Sequence, residues 1–526
     1  MSQNAYTKES LKALDKDQLI SAVLSLQEDL SLREEEVALL RQRLFGRKTE
    51  SKLLEEETEQ VKMFNDIEAV ADSSQANEPD EPDVEEVLLV KKKKEKGKRK
   101  DFLDDFPVTV VNHTMTEEEL HKAFNGMAYT RLPDTVYRKL EVKPAEYMVY
   151  EHHLAVYKCN ATGKIVKTAH PDEMLNNSIA TPSILAGIMN AKYAYGMPLN
   201  RIDQALVAGG VRLGRQNMAH WCIQCAERYL SLIYDRMHSI LCEHSVIQAD
   251  ETPVLVTKDG RPAGSKSYMW VYRTSELSEG PPVILYDYEK TRSSERPREF
   301  LKGFRGTVMC DGFSGYEALA KQEANIKIAN CMAHARREFA DIVKALPETN
   351  ASRSSAASEA VRQFKTIYQK EGELKDLPAL ERQKRRQKEI KPLLDAYFVW
   401  AEETLENAAP SSKLGKALQY SLSRKEPLMR FLSNGEIPID NSASERSIRP
   451  FTIARKNFVM IDTIHGATAS AMIFGLVETA KANGLNVYEY LKYLLTEIPK
   501  HMREKDLSFV EDLLPWAPTI QKNCKL

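Results

Sequence analysis

SVIQADETPVLVT (245–257), SYMWVYRT (267–274) and PPVILYDYE (281–289) are three runs rich in β-branched and aromatic residues, separated by GRPAG and ELSEG. Such runs read as strands, and the short Gly- and Pro-bearing breaks between them suit an antiparallel meander. Working outward, SSERPREFLKGF (293–304) has a helical pattern and leads into the apolar run TVMCDG (307–312). A helical crossover is what a parallel strand pairing requires. A second helical stretch, YEALAKQ (316–322), leads to another strand-like run in IKIANCMAH (326–334).

Three strands, a helix, a strand, a helix and a strand is the order of an α/β ribonuclease H-like domain. In that order Asp250 lies on the first strand and Asp311 at the end of the fourth, and those two strands are neighbours. A third acid, Glu445, lies in DNSASERSIRP (440–450), where a helix begins. Between them, residues 345–430 are rich in Lys, Glu, Ala and Leu and read as a helical insertion. Three carboxylates from distant parts of a chain can converge on two magnesium ions, the usual arrangement for cutting and joining nucleic-acid phosphodiesters. A buried or salt-bridged carboxylate is the alternative for each acid taken singly.

Composition permits this chemistry without pointing to it. The 526 residues exceed what one hydrophobic core fills, and 42% hydrophobic content is ordinary for a soluble protein. No run of about 18 apolar residues is present to span a bilayer, and the first residues lack the plan of a secretory signal, so a cytoplasmic, nucleoid-associated location is expected. Seven scattered cysteines argue against a disulfide framework. The net charge of −2 is unevenly spread.

Leu19, Val23, Leu26, Leu30, Arg33, Val37, Leu40 and Leu44 alternate in spacings of four and three, the seam of a coiled coil within a first region 1–70, which favours a homodimer or higher oligomer over an amphipathic helix packed on its own chain. Residues 71–101 read as a charged linker: an acidic stretch with prolines, then KKKKEKGKRK, whose Lys91, Lys92, Lys93 and Lys94 suit a phosphate backbone or a solvated tail. Residues 102–176 read as a small mixed domain with two strands in RKLEVKPAEYMVYEHHLAVYKC and a turn at Gly163; Cys159, His113, His152 and His153 lack zinc-knuckle spacing there. Residues 177–243 read as helices. Pro198 opens one and Gly209-Gly210 ends it, and a second starts near Arg215, in the manner of a DNA-binding helix-turn-helix. Cys222 and Cys225 on that second helix are read as packing residues.

QADETPVLV, MCDGFSGY, CMAHARREF, IDNSASERSIRPFTIARKNF and EDLLPW, with LFGRKTE and KYAYGMPLNR further toward the N-terminus, resemble the signature segments of the insertion sequence 66 family of bacterial DDE transposases. The resemblance implies that Asp250, Asp311 and Glu445 are the catalytic and metal-holding triad, and that a ribonuclease H-like domain is assembled from 244–344 and 431–485 with a helical tail at 486–526. It also implies cleavage and 3′-hydroxyl strand transfer at the ends of an insertion sequence. Family members carry paired cysteines in the small domain where this chain has only Cys159, so no zinc is expected. Ser442 stands where a second asparagine is common.

The expected cofactor is a pair of Mg2+ ions, with Mn2+ able to substitute. The expected partners are DNA, both the terminal inverted repeats and the target, and accessory transposition proteins, with no membrane. Arg446, Arg449, Arg455 and Lys456 surround Glu445 as phosphate contacts or as partners of nearby acids. Asp440 and Asn441 are candidate caps of the Glu445 helix, and His334 is a candidate neighbour of the active site. A DNA-binding regulator without catalysis and a two-carboxylate glycosidase are the competing readings. No carboxylate is lost, and the basic residues around Glu445 favour phosphate over sugar.

Overall fold

The computed structural model describes residues 146–346 and 355–526, save 159, 161–164, 169–172, 176–177 and 263, together with isolated positions between 116 and 127. The coiled-coil seam, the linker with Lys91–Lys94, His113 and Cys159 lie outside the described residues. The chain divides into one unit of Lys62–Glu151 and another of Met1–Val61 with His152–Leu526. In the smaller unit, Thr116 and Glu119 form a reciprocal capping box: the Thr116 amide donates to Glu119 Oε2 at 2.8 Å and the Glu119 amide to Thr116 Oγ1 at 3.3 Å.

In the larger unit β1 (Val156–Lys158) pairs antiparallel with β2 (Ile165–Lys167), and the turn expected at Gly163 lies outside the described residues. The expected strand upstream is absent from 146–155, which carry no regular structure. Helices follow: α1 (Pro182–Met189), capped by Thr181, then α2 (Leu199–Ala208), α3 (Arg215–Cys225) and α4 (Ser231–Glu243), the last two joined through a π-helical turn. Pro198 stands at the N-cap of α2 and Gly209 at its C-cap, and Gly210 just beyond takes the left-handed conformation (φ +85°) that glycine adopts without steric cost. Cys222 and Cys225 face the core.

The sheet follows the order read from the sequence. β3 (Val246–Lys258), β4 (Lys266–Thr274) and β5 (Ile284–Glu289) form the antiparallel meander. After α5 (Glu295–Phe300), β6 (Gly306–Cys310) pairs parallel to β3. After α6 (Ser314–Gln322), β7 (Ile326–Asn330) pairs parallel to β6. The spatial order is therefore β5-β4-β3-β6-β7, and β3 is central because both the meander and the crossover build onto it.

The C-terminal half of IKIANCMAH is helical: α7 (Met332–Ala345) starts at once after Cys331. Helices α8 (Ala356–Gly372), α9 (Ala379–Arg385), α10 (Lys391–Glu406), α11 (Lys413–Ser423) and α12 (Lys425–Met429) follow, and all but α9 pack with α7 around a second apolar cluster that includes Phe339, Phe364, Tyr397, Phe398 and Phe431. The chain returns to the sheet through α13 (Ser442–Phe458). β8 (Ile461–Thr463) pairs parallel with the far end of β3, followed by α14 (Ile464–Ala482) and α15 (Val487–His501). The Ala- and Gly-rich α14 is buried along most of its length and covers β5. Thr479 Oγ1 donates to the Ile284 carbonyl at 2.7 Å and accepts from its amide at 2.9 Å, which satisfies edge groups that would otherwise be open. No helix of the described residues is long and apolar enough to cross a membrane.

Candidate active site

β6 pairs with β3 only along Val246–Gln248 and β8 joins β3 only from Val256, and Asp250 occupies the stretch just past the paired residues of β6. Asp311 directly follows the last residue of β6. Parallel pairing thus brings two acids, far apart in sequence, to one end of adjacent strands. The turn after Asp311 is fixed by its own carboxylate, which accepts from the Phe313 amide at 2.9 Å, and by Asn330 Nδ2, which donates to its carbonyl at 3.0 Å. At Gly312 a Cβ would stand 2.7 Å from the Tyr420 hydroxyl and 2.9 Å from Arg424 Nε, so those side chains at the end of α11 would have to shift to admit one.

Glu445 lies in the first turn of α13. Asp440 caps that helix as expected, with Oδ1 accepting from the Ser442 amide at 3.0 Å. Asn441 does not; its side-chain amide instead donates to the Ala249 carbonyl at 2.8 Å, and Gln248 Nε2 reaches back to Asn441 Oδ1 at 3.4 Å. The buried Asn441 therefore clamps the start of the Glu445 helix to the residue beside Asp250.

These acids interact. Withdrawal from water, then the charges of Glu251, Asp311 and Glu445, push the Asp250 carboxyl well above its ordinary range; the Glu251 amide, donating to Oδ1 at 2.9 Å, pulls the other way. Glu251 is a fourth acid, with its side chain only 1% exposed. Burial and Asp311 push its carboxyl up, against Arg292, whose Nε donates at 2.7 Å, and Tyr316, whose hydroxyl donates at 3.0 Å. Arg292 also stands 3.9 Å from Asp311 and over the Phe313 ring. On the Glu445 side, Arg337 Nη2 and His334 Nδ1 each lie 3.9 Å from a carboxylate oxygen. His334 is thus a neighbour of the third acid, as the sequence reading anticipates.

The basic residues divide. Arg455 turns inward onto β3, donating to Thr252 Oγ1 at 3.0 Å and to the Pro253 carbonyl, so a structural bond takes the place of the expected outward phosphate contact. Arg446 pairs with Glu276 at 2.7 Å at the surface. Arg449 is partly buried, while Lys456 and Arg215 are exposed. Sequence reasoning passed over Glu251, Arg292, Tyr316 and Arg337, and read Asn441 as a cap rather than as the clamp between α13 and β3. Only the adjacency of Glu251 to Asp250 offered a signal, because the other contacts depend on how distant segments meet.

A sequence profile described as "Transposase IS66 family" matches residues 177–469, the stretch that holds all of these acids. The chain belongs to the transposase IS66 family. A profile described as "IS66 C-terminal element" matches 475–516, and one described as "Transposase C of IS166 homeodomain" matches 33–111. The chain is similar to the uncharacterized protein y4qI of Sinorhizobium fredii (strain NBRC 101917 / NGR234), with 30% identity over 72% of this chain and 70% of the relative. It is also similar to the uncharacterized protein y4jD of the same organism, with 27% identity over 74% and 76%. Membership in this family supports a transposase role, with DNA as the implied partner and a divalent metal as the implied cofactor.

Proposed function

We propose that this protein is a DNA transposase whose α/β core is a ribonuclease H-like domain (244–344 and 431–485), cutting and joining DNA at the ends of an insertion sequence. The observation that supports this most strongly is electrostatic. Asp250 and Glu251 on β3, Asp311 just past β6 and Glu445 on α13 crowd together, and burial, followed by their mutual repulsion, raises the Asp250 carboxyl. Such a group is short of positive charge, which fits divalent cations held by Asp250, Asp311 and Glu445. Mg2+, or Mn2+ in its place, when bound supplies Lewis-acid stabilisation of the attacking and leaving oxygens of a phosphodiester.

The protein's own residues do the rest. Arg292 and Tyr316 hold Glu251, and Arg292 steadies Asp311 from the same side. Asn441 sets the distance between the Glu445 helix and the Asp250 strand. In this reading Arg446, Arg449 and Lys456 offer positive charge to phosphates, and the helical pair with Arg215 at the head of its second helix reads the terminal repeats. The coiled coil of 1–70 and Lys91–Lys94 add self-association and non-sequence-specific DNA attraction, in the cytoplasm at the nucleoid. The test is cleavage and strand transfer on element-end DNA in magnesium buffer. Asp250→Asn, Asp311→Asn and Glu445→Gln each abolish both activities while DNA is still bound; intact transfer by any of them refutes the reading.

A further inference from the structure

Cys331 immediately precedes α7, His334 lies in its first turn, and Glu445 lies in the first turn of α13. Their sulfur, nitrogen and oxygen donors all fall within 4.8 Å of one another. A thiolate with an imidazole selects a borderline ion of the zinc type, whereas magnesium asks for oxygen. A second observation points the same way. His334 Nδ1 and Glu445 Oε1 are shut off from water, have no hydrogen-bond partner among the described residues, and face each other at 3.9 Å. Two polar atoms desolvated and left unbonded cost stability that a shared ligand would recover.

Tetrahedral zinc, with bonds of about 2.0–2.3 Å, sets its donors about 3.4–3.6 Å apart, so side-chain shifts of about an ångström close the group. The remaining contacts are compatible. The Asn441 amide donates to Cys331 Sγ at 3.2 Å, as amides do to metal-bound thiolates. Arg337 stands 3.9 Å from the other Glu445 oxygen, Oε2.

We propose that Cys331, His334 and Glu445 form a separate metal site, a thiolate, imidazole and carboxylate seat for a zinc-class divalent ion that shares Glu445 with the neighbouring acids. Binding displaces the Cys331 thiol proton to solvent, ties the start of α7 to the start of α13, and fixes Glu445. The site does not depend on the transposase reading.

The test is titration of the full chain with cobalt(II) chloride, followed by thiolate-to-cobalt charge-transfer absorption, alongside DNA cleavage in magnesium. The expected result is one equivalent of cobalt with a thiolate band. Cys331→Ser abolishes the band, His334→Ala weakens cobalt binding by at least about tenfold, and Asp250→Asn retains the band. The partly exposed His334 keeps the test decisive if Cys331→Ser fails to fold. No thiolate band, a band that survives Cys331→Ser, undiminished binding in His334→Ala, or a band lost in Asp250→Asn each overturns the site. If cobalt ignores Cys331 while Asp250→Asn still abolishes cleavage, only this inference falls. If cobalt binds there while Asp250→Asn still cuts, only the transposase reading falls.

Discussion

The guanidinium of Arg386, fully buried among the insertion helices, and the carboxylate of Asp250, half-buried at the sheet, have surroundings that differ in kind. Arg386 Nε donates to Glu371 at 3.0 Å, and Nη1 donates to the carbonyls of Phe431, Asn434 and Ile437 at 2.8, 3.1 and 2.9 Å. Arg382 beside it donates to the carbonyls of Leu374, Lys375, Leu377 and Gly435. Asp250 is surrounded instead by acids of its own sign. Charges whose every bond is made hold a fold together; charges left short of partners mark where something else binds.

The largest effect separating the two regions is on catalysis. Asp311→Asn should lower cleavage of element-end DNA on the order of 10³-fold or more, the scale of losing a group that acts on the transition state, while leaving the melting temperature unchanged or higher because a repulsive charge is gone. In the insertion the balance reverses. Arg386→Met leaves Glu371 buried without its partner and should cost about 3–5 kcal/mol in chemical denaturation, the usual result of breaking a buried pair.

A smaller effect is read in pH. The folded Asp250 carboxyl is raised, so its contribution to stability is fully present below the unfolded value of about 3.9 and is lost as pH rises toward the folded value. Asp250→Asn should therefore gain stability over the parent at pH 8 and none near pH 4. Mg2+ should raise the parent's melting temperature more at pH 8 than at pH 5, and an equal shift at both would contradict the sign. The smallest effect is at the surface. Arg446→Ala gives up an exposed pair with Glu276, 54% and 45% exposed, and should change stability by less than about 1 kcal/mol. It should also reduce the salt slope of DNA binding by about 0.9 if Arg446 meets a phosphate.

The sheet was legible because its meander and crossovers are local patterns: alternation, turn residues and helix periods each lie within a few neighbouring residues. Asp250 and Asp311 follow from that order alone, since the parallel β3–β6 pair brings their strand ends together. Glu445 rested on resemblance, as six helices, α7 to α12, stand between β7 and α13. Asn441 shows why the finer site was hidden. Its Asx character suggests a cap, but a long-range bond to Ala249 competes for the same side chain and wins. Arg455 was misread for a similar reason, because a basic residue at a helix end looks solvent-facing until the neighbouring strand is in place.

The central claim, that the crowded acids hold a divalent ion for phosphodiester chemistry, is tested most directly by changing one ligand's preference for its ion. Asp311, with its side chain 27% exposed against 1% for Glu251, has room for a change of shape. Asp311→Cys puts sulfur where Mg2+ demands oxygen, while Mn2+ accepts either. The account predicts that Asp311→Cys fails to cut element-end DNA in Mg2+ and recovers in Mn2+. Wild-type cleavage by Asp311→Cys in Mg2+ would contradict it.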